Sequence, residues 1–502
     1  MRSGMEEVRR CKYKAGYLDF ETKEWREWEC DMPALPGREY CLFHDPEYWR
    51  EHPEEVREAF YERVREVMAS EEPAYFIGYH LPEVHLEELG EEVIFKGPVY
   101  FSYAVFHEGA SFTFVRFFGP TSFEDASFSG GASFLGASFS GPTSFNRAKF
   151  LGDVIFIATK FSKDARFIDT KFSKDARFDG ASFSEYVIFI DVVFSYASFN
   201  HARFSREARF FSVEFLKGAD LISCVFAGPT IFSHVRFPPN ARLENLVISG
   251  RTVFSNTYLP SIPDDPLDLE SRLCLRYIVF DGGGKLIFSK TNMDRVSFMF
   301  ADLSRVEFWD VRWWEYKGSF MPIDAMIVLI KTNDKIARQY KEMARKDIRD
   351  REERHLTPQS ELLRLPDDPD LTLENVLQEI RLLKNLAISM GRYEEAAKFH
   401  IAEMEVRRLA GPEARERHVE WPPKGRLDHL RERAGSWLER RLLWLYKATC
   451  LYGESLARPV AWLLAIWLLF GFIYALSGLI AAPGLATALQ LLAEGLAFSG
   501  SV

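Results

Sequence analysis

Residues 110–150 read ASFTFVRFFGPTSFEDASFSGGASFLGASFSGPTSFNRAKF, and their aromatic spacing decides the fold. Phe112, Phe117, Phe123, Phe128, Phe134, Phe139, Phe145 and Phe150 return after five and then six residues, in alternation. The beat extends between Phe95 and Leu259, through Phe156, Phe161, Phe167, Phe172, Phe178, Phe183, Phe189 and Phe194 and on to Phe237. Neither the 3.6-residue period of a helix nor the two-residue alternation of an ordinary strand gives it. A fixed internal period means units that cannot bury their apolar side alone and must stack on one another.

Two residues before each beat stands a small residue, as at Ala126, Ala132, Ala137, Thr143 and Ala148; Cys224 fills that slot before Phe226. Small-polar-Phe is a three-residue strand whose first and last side chains share a face. That face is interior, because an exposed row of Phe aggregates. Two corner residues follow the short step and three the long step. The long corners carry Gly119-Pro120, Gly130-Gly131, Gly141-Pro142, Gly152-Asp153 and Gly228-Pro229. Glycine there is expected to supply positive φ for a tight turn.

These units resemble the pentapeptide-repeat family, whose unit is Ala-polar-Leu/Phe-x-x; Ala301-Asp302-Leu303-Ser304-Arg305 matches it literally. The resemblance implies a mainly β fold, a right-handed quadrilateral β-helix. The extra residue at alternate corners makes the coil 22 residues instead of 20. One step, Phe194 to Phe199, is five where six is due. From Phe288 the beat becomes strictly five, through Met293, Phe298, Leu303, Phe308 and Trp313. The expected organisation is a helical capping segment at 61–94, 22-residue coils at 95–259, an interruption at 260–285, and a second section with 20-residue coils at 286–320. The first section holds seven to eight coils, a rod of roughly 35 Å at ~4.8 Å per coil.

Ahead of the repeats, residues 1–60 contain Cys11, Cys30, Cys41 and His44. Three thiolates and an imidazole are a closed tetrahedral zinc set. A short segment poor in apolar mass needs such a staple. The expectation is a Cys3His zinc knuckle, with structural Zn2+ as cofactor.

After the repeats the periodicity turns helical. Residues 326–415 read as an α-helical hairpin region; residues 391–396 look like half of a tetratricopeptide repeat. Residues 422–458 read as a basic amphipathic juxtamembrane helix, with Arg440, Arg441, Lys447 and Arg458 facing an anionic lipid surface. Residues 460–480 lack charge and are long enough to cross a bilayer as a transmembrane helix. Cationic residues precede that span and none follows, which places the N-terminal bulk in the cytoplasm. Tyr452-Gly453-Glu454-Ser455, Arg458-Pro459 and the short apolar tail 485–502 resemble the start of a two-helix cation-channel module. The sequence holds no selectivity-filter motif and no second span after that tail.

The 502 residues carry a net charge of -10, which gives no general attraction to nucleic acid. Across the repeats Lys and Arg slightly outnumber Asp and Glu, against mimicry of DNA by an acidic rod. Six cysteines behind a charged N-terminus point to a reducing compartment. No phosphate loop, dinucleotide fingerprint, nucleophile elbow or metalloprotease helix is present, and no nucleophile–base pair can be nominated, so no catalytic residue is assigned. His107, His201 and His234 fall at separate corners. The functional expectation is a membrane-anchored cytosolic scaffold for an unknown protein partner, with homo-oligomerisation open. The alternative is a potassium or cation channel subunit whose pore module is incomplete in this chain.

Overall fold

The structure is a computed structural model; it describes residues 9–20, 22–68, 70–238, 241–259, 266–270, 272–352, 363–410, 438, 440–481 and 490. By contacts the chain divides into two units, Met1–Trp314 with Ala344–Asp367 and Glu315–Met343 with Asp368–Val502.

In the first unit every small-polar-Phe triplet becomes a short parallel strand, and the chain turns through four strands to complete a coil. Successive coils stack into a β-solenoid of about 10 turns. Thr121 lies beside Thr143 and Phe117 beside Phe139, 22 residues on in each case. The five-step at Phe194 shortens one coil, so Val187 lies beside Ala208. In the second section Leu286 lies beside Val306, a 20-residue coil.

The interior consists of stacked rings. Phe101, Phe123 and Phe145 stack at centroid spacings of 5.0 Å with interplanar angles of 7° and 1°. Between ladders the rings meet edge to face, as Phe134 meets Phe145 at 5.4 Å and 85°. Both arrangements suit the aromatic quadrupole. The inward small slot is sometimes polar, and there its donor reaches an otherwise unpaired carbonyl. Thr159 Oγ1 donates to Phe134 O at 2.7 Å and Cys224 Sγ to Phe199 O at 3.0 Å.

The corners divide the work differently from the sequence expectation. Positive φ occurs at the short corners, at Phe114 (58°), Asp125 (56°), Gly136 (63°), Arg147 (58°) and Ala158 (55°). The long-corner glycines have no positive φ; they lie against the coil before. A Cβ on Gly119 would stand 2.5 Å from the Gly97 carbonyl carbon, and one on Gly141 2.4 Å from that of Gly119. Glycine is required there for close approach, not for handedness.

The solenoid starts earlier than Phe95. Ala74–Tyr75 pairs with Val99–Tyr100, and His80–Leu81 with Val105–Phe106. This first coil escapes the Phe beat because Leu81 and Leu86 replace Phe at inward positions, and because a 3-10 turn, Leu86–Leu89, lengthens it. The interruption at 260–285 is an insertion within one coil: Arg251 still lies beside Lys285 and Val247 beside Val279. Residues 260–265 lie outside the described residues.

The N-terminal end of the stack is covered. Helix α1 (Tyr48–Glu51) leads into α2 (Pro53–Met68), which buries Val56, Phe60, Tyr61 and Val64. Phe60 meets Phe76 of the first coil edge to face at 5.4 Å. An uncovered end would leave strand donors and a ring ladder open.

In the second unit, α3 (Ile323–Thr332) is buried along most of its length. Helix α4 (Asp334–Glu352) follows. Helices α5 (Leu373–Ser389) and α6 (Tyr393–Leu409) form the expected hairpin. Thr372 Oγ1 caps α5 by accepting from Asn375 N at 3.2 Å, and Gly391 turns the chain at φ 72°. Buried Glu403 holds the hairpin through Arg381, Lys384 and Arg407 at 2.8, 2.7 and 2.9 Å.

Two further helices, α7 (Arg440–Gly453) and α8 (Ala457–Ala481), meet at a bend of 119°. Among the described residues no single helix is long and apolar enough to cross a membrane; this bent pair passes by length and composition together. The expected single span at 460–480 is therefore replaced by an apolar pair joined through a corner. Leu451, Tyr452 and Gly453 make that corner, all at positive φ. The expected tail at 485–502, apart from residue 490, and the basic stretch 422–437 lie outside the described residues.

Candidate metal centre

The 19-residue gap between Cys11 and Cys30 is a β-hairpin. Strands β1 (Lys14–Leu18) and β2 (Trp25–Glu29) pair antiparallel, with Lys14 opposite Glu29, so the flanking residues meet at the open end. Cys30 N donates to Tyr13 O at 3.0 Å. The second half of the set comes from a tight turn, in which His44 N donates to Cys41 O at 3.1 Å. Asp45 fastens that turn to α1 by accepting from Glu47 N and Tyr48 N, and it pairs with Arg38 at 2.7 Å.

All four expected ligands are buried, and their ligand atoms lie within 4.8 Å of one another. Cys30 Sγ is 3.9 Å from Cys41 Sγ, Cys11 Sγ 3.6 Å from His44 Nδ1, and Cys41 Sγ 3.1 Å from His44 Nδ1. A tetrahedral zinc site has S–S edges of about 3.8 Å and S–N edges of about 3.6 Å. The set is close to those edges and far from the ~2.05 Å of a disulfide; all six cysteines are free. His44 Nε2 lies 2.8 Å from Ile77 O and donates to it, since a carbonyl only accepts. That bond leaves the Nδ1 lone pair facing the thiols, the tautomer a metal needs. The hydrogen bond from Cys30, resisted by burial and aided by His44, pulls the Cys41 thiol down to about 4. The same bond and burial push Cys30 up, and burial pushes Cys11 up. The donor set and its geometry fit a four-coordinate zinc.

Two supporting residues were not legible as such. Tyr13 stacks flat on His44, centroids 4.1 Å apart at 8°. Gly78, at φ 69°, makes room for it: a Cβ there would lie 2.1 Å from the Tyr13 hydroxyl. Phe43 also stacks on Tyr79 at 4.2 Å, so the centre is built onto the first coil. Coil stacking further pairs His107, which the sequence leaves isolated, with His80: Nδ1 of His80 is 2.9 Å from Nε2 of His107, and Trp49 covers His107 at 3.8 Å. Burial and then His80 push the His107 imidazole down to about 4.

A family model described as Pentapeptide repeats (9 copies) matches residues 123–171 and 156–203, inside the 22-residue coils. The chain belongs to the pentapeptide-repeat family. No curated protein matches it. The family match covers repeat coils alone, so the cysteine-histidine centre and the helices of this pentapeptide-repeat protein are argued from their own geometry.

The four basic residues expected at the lipid surface are not equivalent. Lys447 Nζ is held by Glu405 at 2.9 Å, which corrects its assignment to an unengaged cationic face. Arg458 is exposed and donates to Lys447 O at 3.0 Å. Arg441 is exposed and Arg440 half-buried. Glu405 also accepts from Arg408 and from the Tyr452 hydroxyl. Although burial pushes its carboxyl up, Arg408, Tyr452 and Lys447 hold it below the usual range. Tyr452, singled out as part of a channel-like motif, is thus a buried anchor of the α7–α8 corner on α6.

Proposed function

We propose that this chain is a membrane-attached pentapeptide-repeat scaffold whose N-terminal cap is stapled by one structural zinc. The observation that carries the reading is the exposed apolar surface along both arms of the bent pair. Trp444, Leu445, Leu463, Phe470 and Phe472 all stand exposed. Contiguous apolar exposure of this extent marks a contact surface, and Arg441 and Arg458 beside it favour an anionic lipid surface over a purely apolar partner. Their place ahead of the apolar arm supports a cytoplasmic solenoid. Inward side chains of the coils are committed to packing, which supports interaction, not catalysis, as the role of the rod.

The test is extraction of the full chain from membranes. Retention through high salt and alkaline carbonate, with release by detergent, is expected; full release by salt alone would end the attachment reading. For the metal, elemental analysis should find about one zinc per chain, lost in Cys41→Ser. A metal-free wild-type protein would reject it.

A further inference from the structure

One face of the solenoid is complementary to itself. It comprises seven successive strands, from Ala165–Ile168 to Val306–Trp309, paired in register. Along its middle outward row Ile231 is the midpoint. Two coils away on either side stand Ile188 and Ile287; three coils away stand Arg166 and Glu307. In the adjacent outward row, one residue before the inward small slots, Pro229 is the midpoint. Glu207 and Arg251 lie one coil away on either side, and Asp164 and Arg305 three coils away. In all three ionic pairs the sign of charge inverts across the midpoint.

We propose that two copies of this chain dimerise through this face, antiparallel, about a two-fold axis lying in the interface at Ile231 and perpendicular to the stack. That operation sets Asp164 against Arg305 of a second copy, Arg166 against its Glu307 and Glu207 against its Arg251. Ile188 meets Ile287, and Ile231 meets itself. An isologous contact requires such inversion, whereas an unrelated partner does not. The parallel alternative would face each charge with its own sign, which is repulsive. Flat β faces pack at about 10 Å with interdigitated side chains. Within each copy Glu207 bonds Arg209 at 2.6 Å and Lys285 bonds Glu307 at 2.9 Å, so no charge is stranded when the dimer separates. Seven coils of ~4.8 Å and a strand width of about 15 Å give about 1,000 Å2 buried in total, the small end for a specific interface. The dimer is therefore reversible and concentration-dependent. This inference does not depend on membrane attachment.

Sedimentation equilibrium of the detergent-solubilised full chain, over a series of concentrations, tests it. The wild type should show a monomer–dimer equilibrium. Ile231→Arg, which places two guanidinium groups on the axis, should abolish it. Asp164→Arg and Arg305→Asp should each weaken it by roughly tenfold or more, because each changes two contacts; the double variant should recover most of the loss. Zinc content and circular dichroism confirm that every variant is folded. A monomeric wild type, a dimer indifferent to Ile231→Arg, or a double variant no better than the single ones overturns the proposal.

Discussion

The two kinds of corner respond oppositely to the exchange of Gly and Ala. At Gly119 the backbone lies in an ordinary φ region, so Ala carries no conformational penalty; elsewhere such a change raises stability by about 0.4–1 kcal/mol. Here the new Cβ meets backbone of the coil before, Gly97 C and O at 2.5 Å and Pro98 N at 2.6 Å. Relief requires the two coils to part by several tenths of an ångström to about 1 Å. The flanking rings already stack at van der Waals spacing, Phe95 on Phe117 at 5.2 Å and Phe101 on Phe123 at 5.0 Å. A gap of 0.5–1 Å forfeits about a quarter to a half of the dispersion well for each atom pair, and overpacking of this kind costs about 1–3 kcal/mol. Gly119→Ala should therefore destabilise by about 2 kcal/mol. Ala158 sits at φ 55° in a short corner. A left-handed non-glycine residue costs about 1–2 kcal/mol, offset by the ~0.5–1 kcal/mol entropy of Gly. Ala158→Gly should be neutral to mildly stabilising. Because a chain with several units does not unfold in one step, the measurement is hydrogen exchange resolved by peptide over residues 97–160 in the intact protein. Faster exchange around Gly119 and unchanged or slower exchange around Ala158 is expected. If Gly119→Ala protects its coils, the close-approach account is wrong.

Other consequences are more local. Gly78→Ala should drive Tyr13 off His44 and lower zinc retention against a competing chelator without altering the four ligands; undiminished retention would remove Tyr13 and Gly78 from the centre. Tyr452→Phe deletes the donor to the Glu405 carboxylate, a loss of about 1.5–3 kcal/mol for a bond to a charged group. Exchange at the end of α6 and at the α7–α8 corner should rise, and equal exchange in both proteins would refute the anchor. For His107, the folded protein resists protonation while the unfolded chain accepts it near the usual value of about 6.5. The unfolded state thus binds more protons below that pH, and stability falls as pH drops from about 6.5 toward 4, with no change above. In zinc-loaded protein, His107→Gln should flatten that acid limb; an identical limb would show that His107 is not its source.

The coil lengths were legible because Phe recurs at inward positions and its spacing survives every outward substitution. Where Leu81 and Leu86 replace Phe the beat fails, and the first coil is hidden. Gly119 and Gly141 were visible as corners, but their reason was not, because it lies in a backbone 22 residues away. The metal ligands were legible by residue type. Their assembly was hidden by the long Cys11–Cys30 gap, which only the β1–β2 pairing closes. Lys447 looked cationic and unengaged because its partner, Glu405, lies far off in sequence on another helix.

The uniform Phe core carries a hazard of its own. Because ladders repeat ring upon ring, a slip by one whole coil leaves nearly every Phe facing a Phe, and the interior alone barely penalises it. Fidelity must come from features that do not repeat: the long first coil, the single shortened coil at Phe194, and the insertion before Lys285. A slipped chain would align these with ordinary coils and strand the insertion inside a face. The irregularities thus serve as alignment marks, and trimming them to a perfect repeat should yield a protein that folds into several frames.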